Sequence, residues 1–389
     1  MAGDSAVETI QERRTWTYPA EEMAKLYAPP ERVHPADKLR ALLRAGFEQR
    51  HRRPGASYLH TAGAYDALTA SLLTRLGFDA VYASGWQLAV AHSMYPDIGI
   101  YPSHSMVDLV RELIRGIEGT RDTHFYDTGG DLLNVPPIFA DIEAGFGGAT
   151  QTFTLTRELI RAGAAGVHLE DQDPSERTCG HVVAHHGVKR AKVLVPTARW
   201  IEKLIAMRAA AQATGVDVVI IARTDAVDGA VPGGRGAGIE HAIERGLEAA
   251  SLGVADVIWP EFNDTLLDGP QQFAEAIHKH YPKQMLGFNL SPSLHWGKAK
   301  SDGTLITNAQ LGKLGYALQF STLISFRAAG MSLERTLREF RTRGLEALAD
   351  LQLEEVAAPG TEPVTRKHQL FCGTNRWLTM EKVAKGPDA

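Results

Sequence analysis

Short apolar or β-branched runs alternate with stretches of helical periodicity along most of the chain. The runs fall at residues 58–61, 80–84, 137–141, 166–170, 218–223, 256–261, 284–289 and 316–322. Apolar residues recur at helical spacing over 66–76, 153–162, 197–214 and 239–252. Continuous apolar runs of this length suit strands buried on both faces, and their alternation with amphipathic helices suits parallel βα units. Eight such units over residues 56–330 predict a (β/α)8 barrel, a fold of typically ~250 residues. The competing open, doubly wound sheet lacks its fingerprint, because no Gly-x-Gly-x-x-Gly follows the first run.

Two segments fall outside these units. Residues 1–55 read as an N-terminal helical arm with a helix over 35–50, and residues 331–389 as a C-terminal helical segment. Its helix is expected over 332–355, opening on Ser332 as N-cap. With no core of its own, it is expected to pack on the barrel's outside or on a neighbouring subunit.

Composition narrows the class. Of 389 residues, 44% are hydrophobic and 22% charged, which excludes a disordered or coiled-coil chain. A net charge of -5 offers no basic field for nucleic acid or an anionic membrane. Two cysteines, Cys179 and Cys372, do not make a disulfide framework and fit a reducing, cytoplasmic compartment. No secretory signal is expected at the start, and the most apolar stretch, 216–222, is too short to span a bilayer.

In such barrels chemistry collects at the carboxyl ends of the strands. The runs end on Ser84-Gly85-Trp86, Asp141 and Glu143, Glu170-Asp171, Arg223, Glu261, Asn289 with Ser291 and Ser293, and Thr322. Any one of these suits a helix N-cap, but carboxylates from several strands on one rim repel unless a cation sits among them. Asp141, Glu143 and Glu170, with Asp97 as a further candidate, suit a hard divalent cation, Mg2+ or Mn2+. The plainer alternative is that Lys or Arg neutralises some of them. Cys179 stands in a polar stretch rich in His and basic residues, where a thiol exchanges protons near neutrality. Arg223 offers a carboxylate fork, and Asn289, Ser291, Ser293 and Thr322 offer neutral donors. Together they suit a substrate with several carboxylates.

These segments, with Tyr95-Pro96-Asp97, His168-Leu-Glu170-Asp171-Gln172, Cys179-Gly180-His181, Lys192-Val-Leu-Val-Pro196 and Lys367-His-Gln, resemble in order those of the isocitrate lyases. The resemblance implies a (β/α)8 barrel, usually a homotetramer with exchanged helices. It implies Mg2+-dependent retro-aldol cleavage of isocitrate to glyoxylate and succinate. By matching motif, Asp141 would ligate the metal, with Asp97, Glu143 and Glu170 acting directly or through water. Ser84, Gly85, Trp86 and Arg223 would hold the glyoxylate end. Gly180, His181, Asn289, Ser291, Ser293 and Thr322 would hold the succinate end. Cys179 would serve as the acid for the succinate carbanion, beside His181, with Tyr82 near the reacting hydroxyl.

The chain departs from that pattern at Arg177-Thr178, where Lys-Lys is usual, in a longer stretch from Val182 to Ala191, and at Leu294-His295. The segment Gly63-Ala-Tyr-Asp66-Ala-Leu looks more like the methylisocitrate lyase and phosphoenolpyruvate mutase branch. Two alternatives therefore stand beside isocitrate cleavage: a lyase for 2-methylisocitrate or another substituted 2-hydroxy acid, and a non-catalytic dicarboxylate-binding barrel.

Overall fold

The structure is a computed structural model and describes residues 19–179, 192–357 and 364–385. Its strands are β1 (Leu59–Ala64), β2 (Val81–Ala83), β3 (Ile138–Asp141), β4 (Gly166–Glu170), β5 (Lys192–Val193), β6 (Val219–Thr224), β7 (Gly229–Ala230), β8 (Val257–Pro260), β9 (Met285–Asn289) and β10 (Tyr316–Ser321). Eight of them close a barrel in the order β1-β10-β9-β8-β6-β4-β3-β2, every pair parallel. β5 and β7 form a separate parallel pair over the rim segments. All eight expected runs thus become barrel strands, in the (β/α)8 fold.

Both faces of these strands are buried, which is why they read as continuous apolar runs. The outward side chains pack against the surrounding helices. The inward ones form a mostly aromatic column. Tyr82 stacks on Phe139 at 4.8 Å, and Trp259 meets Phe320 edge-on at 4.9 Å and His168 at 5.0 Å.

The column is closed at the amino end of the barrel by the helix Pro35–Gln49. Its Leu39, Leu43 and Phe47 join the inward cluster with Leu59, Phe139 and Val219. Arg40 on the same helix ion-pairs with Asp256, and donates to the carbonyl of Asp217 at 2.9 Å. Asp256 in turn accepts from Arg208 at 2.7 Å. The helix that the sequence assigns to an arm is therefore the floor of the barrel.

The chain divides into two compact units. Glu31–Thr120 and Asn134–Pro363 make the barrel unit. The second gathers the described parts of Met1–Pro30, Arg121–Leu133 and Val364–Ala389. In that second unit the buried Arg376 lies over the rings of Tyr27, at 4.9 Å, and Trp377, at 4.7 Å. The helix expected over 332–355 is a pair, Ile324–Arg343 and Leu345–Ala357. Gly344 breaks it at φ 57°, ψ -125°, a conformation that glycine alone adopts readily. Ser332 lies inside the first helix and caps nothing. Among the described residues no helix is long and apolar enough to cross a membrane.

The floor helix is testable. Leu39 is fully buried, so Leu39→Ala should lower the unfolding free energy by roughly 2–5 kcal/mol in urea titration. A loss under about 0.5 kcal/mol, as at ordinary surface positions, would show that this helix is not part of the core.

Candidate active site

The carboxyl ends of the strands surround a cavity of about 30 Å³. Tyr82, Trp86, Asp97, Asp141, Cys179, Arg223 and Glu261 line it, as do Asn289, Ser291, Ser293 and Thr322. Arg177 and Leu323 line it too, and the sequence assigned neither to the site. Ser84, Gly85, Glu143 and Glu170 stand directly behind this wall. Gly180 and His181, and the stretch that follows them, lie outside the described residues.

Ser84 fills the bland role foreseen for such residues. Its hydroxyl caps the helix Gly85–Ser93 by accepting from the Gln87 amide at 3.4 Å. That cap starts the helix with its first amide aimed into the site, and Gly85 N donates to Asp141 Oδ2 at 3.2 Å. A Cβ on Gly85 would lie 2.6 Å from Asp141 Oδ2 and 2.9 Å from Glu143 Oε1, so these two carboxylates converge on a space that only glycine leaves open.

Asp141, the last residue of β3, is held on both oxygens. Oδ2 also accepts from the Tyr82 hydroxyl at 3.1 Å, and Oδ1 accepts from Glu143 N at 2.7 Å. His168 Nε2 sits 3.2 Å from Oδ1 and 2.8 Å from the Tyr82 oxygen. Burial opposes ionisation of Asp141, but His168 and Arg177 outweigh it and hold the carboxyl well below its usual range. Burial and Asp141 push the Tyr82 phenol well above its usual value, so it remains protonated at neutral pH. His168 is fully buried inside β4. The sequence motif contained it, but a strand-interior position gave no sign of its reach to Asp141.

Glu143 occupies the left-handed region at φ 52°, an unusual backbone for a side chain with a Cβ. Its amide bond to Asp141 and its carbonyl, which accepts from Glu170 N at 3.0 Å, fix it there. Strain of this kind is found at sites that must aim a side chain.

Asp97, Glu143 and Glu170 are all buried, and Arg177 stands among them. Its Nε lies 2.5 Å from Glu143 Oε2 and 2.7 Å from Glu170 Oε1, and its Nη1 pairs with Asp97. The alternative weighed in the sequence, an arginine among the carboxylates, is thus realised for three of them. Arg177 does not neutralise them fully. Burial pushes Glu143 well above the usual carboxylate range, against the pull of Arg177 and with the push of Asp97, Asp141 and Glu170. Glu143 Oε2 has the Arg177 ion pair, and Glu170 Oε2 has Arg223 Nη1 at 3.5 Å. The donor chemistry, all carboxylate oxygen, fits a hard cation beside Asp141. Among the described residues, however, no group of three or more Asp, Glu, His or Cys side chains is arranged to hold a metal ion.

Beside the cluster, Arg223 on β6 is clamped edge-on by Asp225, with Nε to Oδ2 and Nη2 to Oδ1 both 3.0 Å. Its guanidinium lies over Trp259 at 4.7 Å, and its Nη1 is 3.5 Å from Glu170 Oε2. Lys192 Nζ donates to the same Asp225 at 2.9 Å. Burial opposes the Asp225 charge, but Arg223 and Lys192 prevail and drive its carboxyl far below the usual range. On the remaining side, Asn289 donates to Glu261 at 3.0 Å and accepts from Thr322 at 2.7 Å, so its carboxamide has one fixed orientation.

The clamp makes a pH-dependent prediction. Asp225→Asn removes the carboxylate that Arg223 and Lys192 share, leaving Lys192 to Asp228 and Arg223 to Glu170, at a cost of roughly 3–5 kcal/mol at pH 7. Because the folded carboxyl is depressed, its stabilisation is present above the unfolded value of about 4 and is lost as pH falls below it. In urea titrations the gap between wild type and variant should hold from about pH 7 to 5 and narrow below about pH 4. A gap that narrows between neutrality and pH 5 would contradict this ionisation state.

The phosphoenolpyruvate phosphomutase family model matches residues 47–341. An isocitrate lyase of Escherichia coli K12 is 39% identical, the alignment covering 96% of this chain and 91% of that protein. An isocitrate lyase of Halalkalibacterium halodurans is 36% identical over 85% of this chain and 81% of that protein. Among solved structures, oxaloacetate acetylhydrolase in complex with the inhibitor 3,3-difluorooxalacetate superposes with a TM-score of 0.66 at 26% identity, covering 90% of this chain and 97% of that one. Matches of this length and identity show that the chain belongs to the phosphoenolpyruvate mutase and isocitrate lyase superfamily.

Proposed function

We propose that this protein, a carbon–carbon lyase by its family, cleaves isocitrate to glyoxylate and succinate. The observation that supports the reading is the make-up of the cavity wall. Arg223, Asp97 and Asp141, the neutral donors Asn289, Ser291, Ser293 and Thr322, and Cys179 all line the one cavity. Such a wall matches a molecule with a 2-hydroxy acid at one end and two carboxylates at the other.

In the proposed reaction the substrate hydroxyl gives up its proton and the bond from its carbon to the adjacent carbon breaks. The hydroxyl carbon leaves as the aldehyde of glyoxylate, and the electron pair stays on the succinate fragment. Cys179 delivers a proton to that carbon, so one proton leaves and one arrives. Arg223, locked by Asp225, orients the glyoxylate carboxylate. The neutral donors hold the succinate carboxylates, with Gly180 and His181 assigned beside them by motif alone. Asp141, with Asp97, Glu143 and Glu170 directly or through water, would hold Mg2+ or Mn2+, which when bound supplies charge stabilisation to the hydroxy-acid end. Tyr82, kept protonated, donates to Asp141 and fixes its direction. The same reading extends to a cytoplasmic homotetramer whose C-terminal helices pack on neighbouring subunits.

With Mg2+ present, isocitrate should yield glyoxylate, trapped as its phenylhydrazone, and chelation by EDTA should abolish the reaction until Mg2+ is restored. Cys179→Ser should reduce turnover by roughly 10²–10⁴-fold, the range for loss of a positioned acid. Pyruvate from 2-methylisocitrate with no glyoxylate from isocitrate would transfer the reading to the branched substrate. Neither product would favour a dicarboxylate-binding barrel.

A further inference from the structure

Arg177 stands where the isocitrate lyase pattern has lysine, two residues before Cys179. It is buried, and it reaches three carboxylates that come from different parts of the chain. Asp97 follows the helix Gly85–Ser93, Glu143 follows β3, and Glu170 ends β4. It makes no ion pair with Asp141, whose oxygens are taken by Tyr82, Gly85, Glu143 and His168. The guanidinium thus pairs with the three outer carboxylates and not with Asp141.

The segment bearing Cys179 has further ties to the barrel. Thr178 N donates to Gln172 Oε1 at 3.0 Å, and Gln172 Nε2 donates to Asp225 at 3.3 Å. Each of these is a single bond, whereas Arg177 pairs with three carboxylates. A fork with several N–H groups is the side chain that can bridge three acceptors at once. We propose that Arg177 is a positioning residue: it fastens the segment to the outer carboxylates and so sets the Cys179 thiol against the cavity wall. The arginine at this position is then matched to the spacing of Asp97, Glu143 and Glu170, which a single ammonium cannot span.

The functional consequence rests on the proposed role of Cys179 as acid, but the placement of the thiol does not. It is tested without substrate. The rate of Cys179 alkylation by iodoacetamide, taken at its pH-independent limit and resolved from Cys372 by peptide mass spectrometry, is compared in wild type, Arg177→Lys and Arg177→Gln. Alkylation should rise in that order, by roughly tenfold or more for the Gln variant as the local opening becomes easier. In an isocitrate-cleaving enzyme the same order should appear as a fall in kcat larger than any rise in KM, with partial rescue by Lys. Circular dichroism and urea unfolding identify a variant that fails to fold, and Arg177→Lys, which keeps the charge, then decides. Wild-type alkylation rates in a folded Arg177 variant would overturn the proposal, whatever the enzyme's substrate.

Discussion

Everything at the rim of this barrel depends on compensating buried negative charge. Asp97, Asp141, Glu143, Glu170, Asp171, Asp225 and Glu261 are all buried at one end of the fold. Each would cost several kcal/mol to ionise in isolation. The chain answers with buried cations: Arg177 among Asp97, Glu143 and Glu170, Arg223 and Lys192 on Asp225, and Arg245 on Asp171 at 3.0 Å. Asp141 is paired by none of these cations; Tyr82, the Gly85 and Glu143 amides and His168 hold it, and it converges with Glu143 beside Gly85.

The barrel makes this tolerable by rigidity. The aromatic column of Tyr82, Phe139, Trp259 and Phe320 is packed beneath the charges, and the helix Pro35–Gln49 seals it from below. Trp259 carries Arg223 on its face, and His168 connects the column to Asp141. Side chains so fixed cannot relax to neutralise one another, which is the condition for an electrostatically preorganised site.

Much of this was legible in the sequence. Strands buried on both faces announce themselves as apolar runs, and polar residues at their carboxyl ends mark the rim. What was not legible depended on meetings between distant segments. Arg177 read only as a departure from a lysine pair, because Asp97 lies on a different part of the chain from Glu143 and Glu170. His168 looked like any strand residue, since only the β3–β4 register sets it opposite Asp141. Gly344 sat within a helical pattern, and its φ of 57° is a tertiary outcome. The floor helix looked like an arm because its partners lie in strands from end to end of the barrel.

The proposed role of Asp141, with Glu143 beside it, is to take a divalent cation. Electron paramagnetic resonance titration of the metal-stripped protein with Mn2+ tests it directly, without reference to any substrate. The account predicts one saturable Mn2+ site per chain, lost in Asp141→Asn and displaced by Mg2+. No saturable site, or a site that persists unchanged in Asp141→Asn, would contradict it.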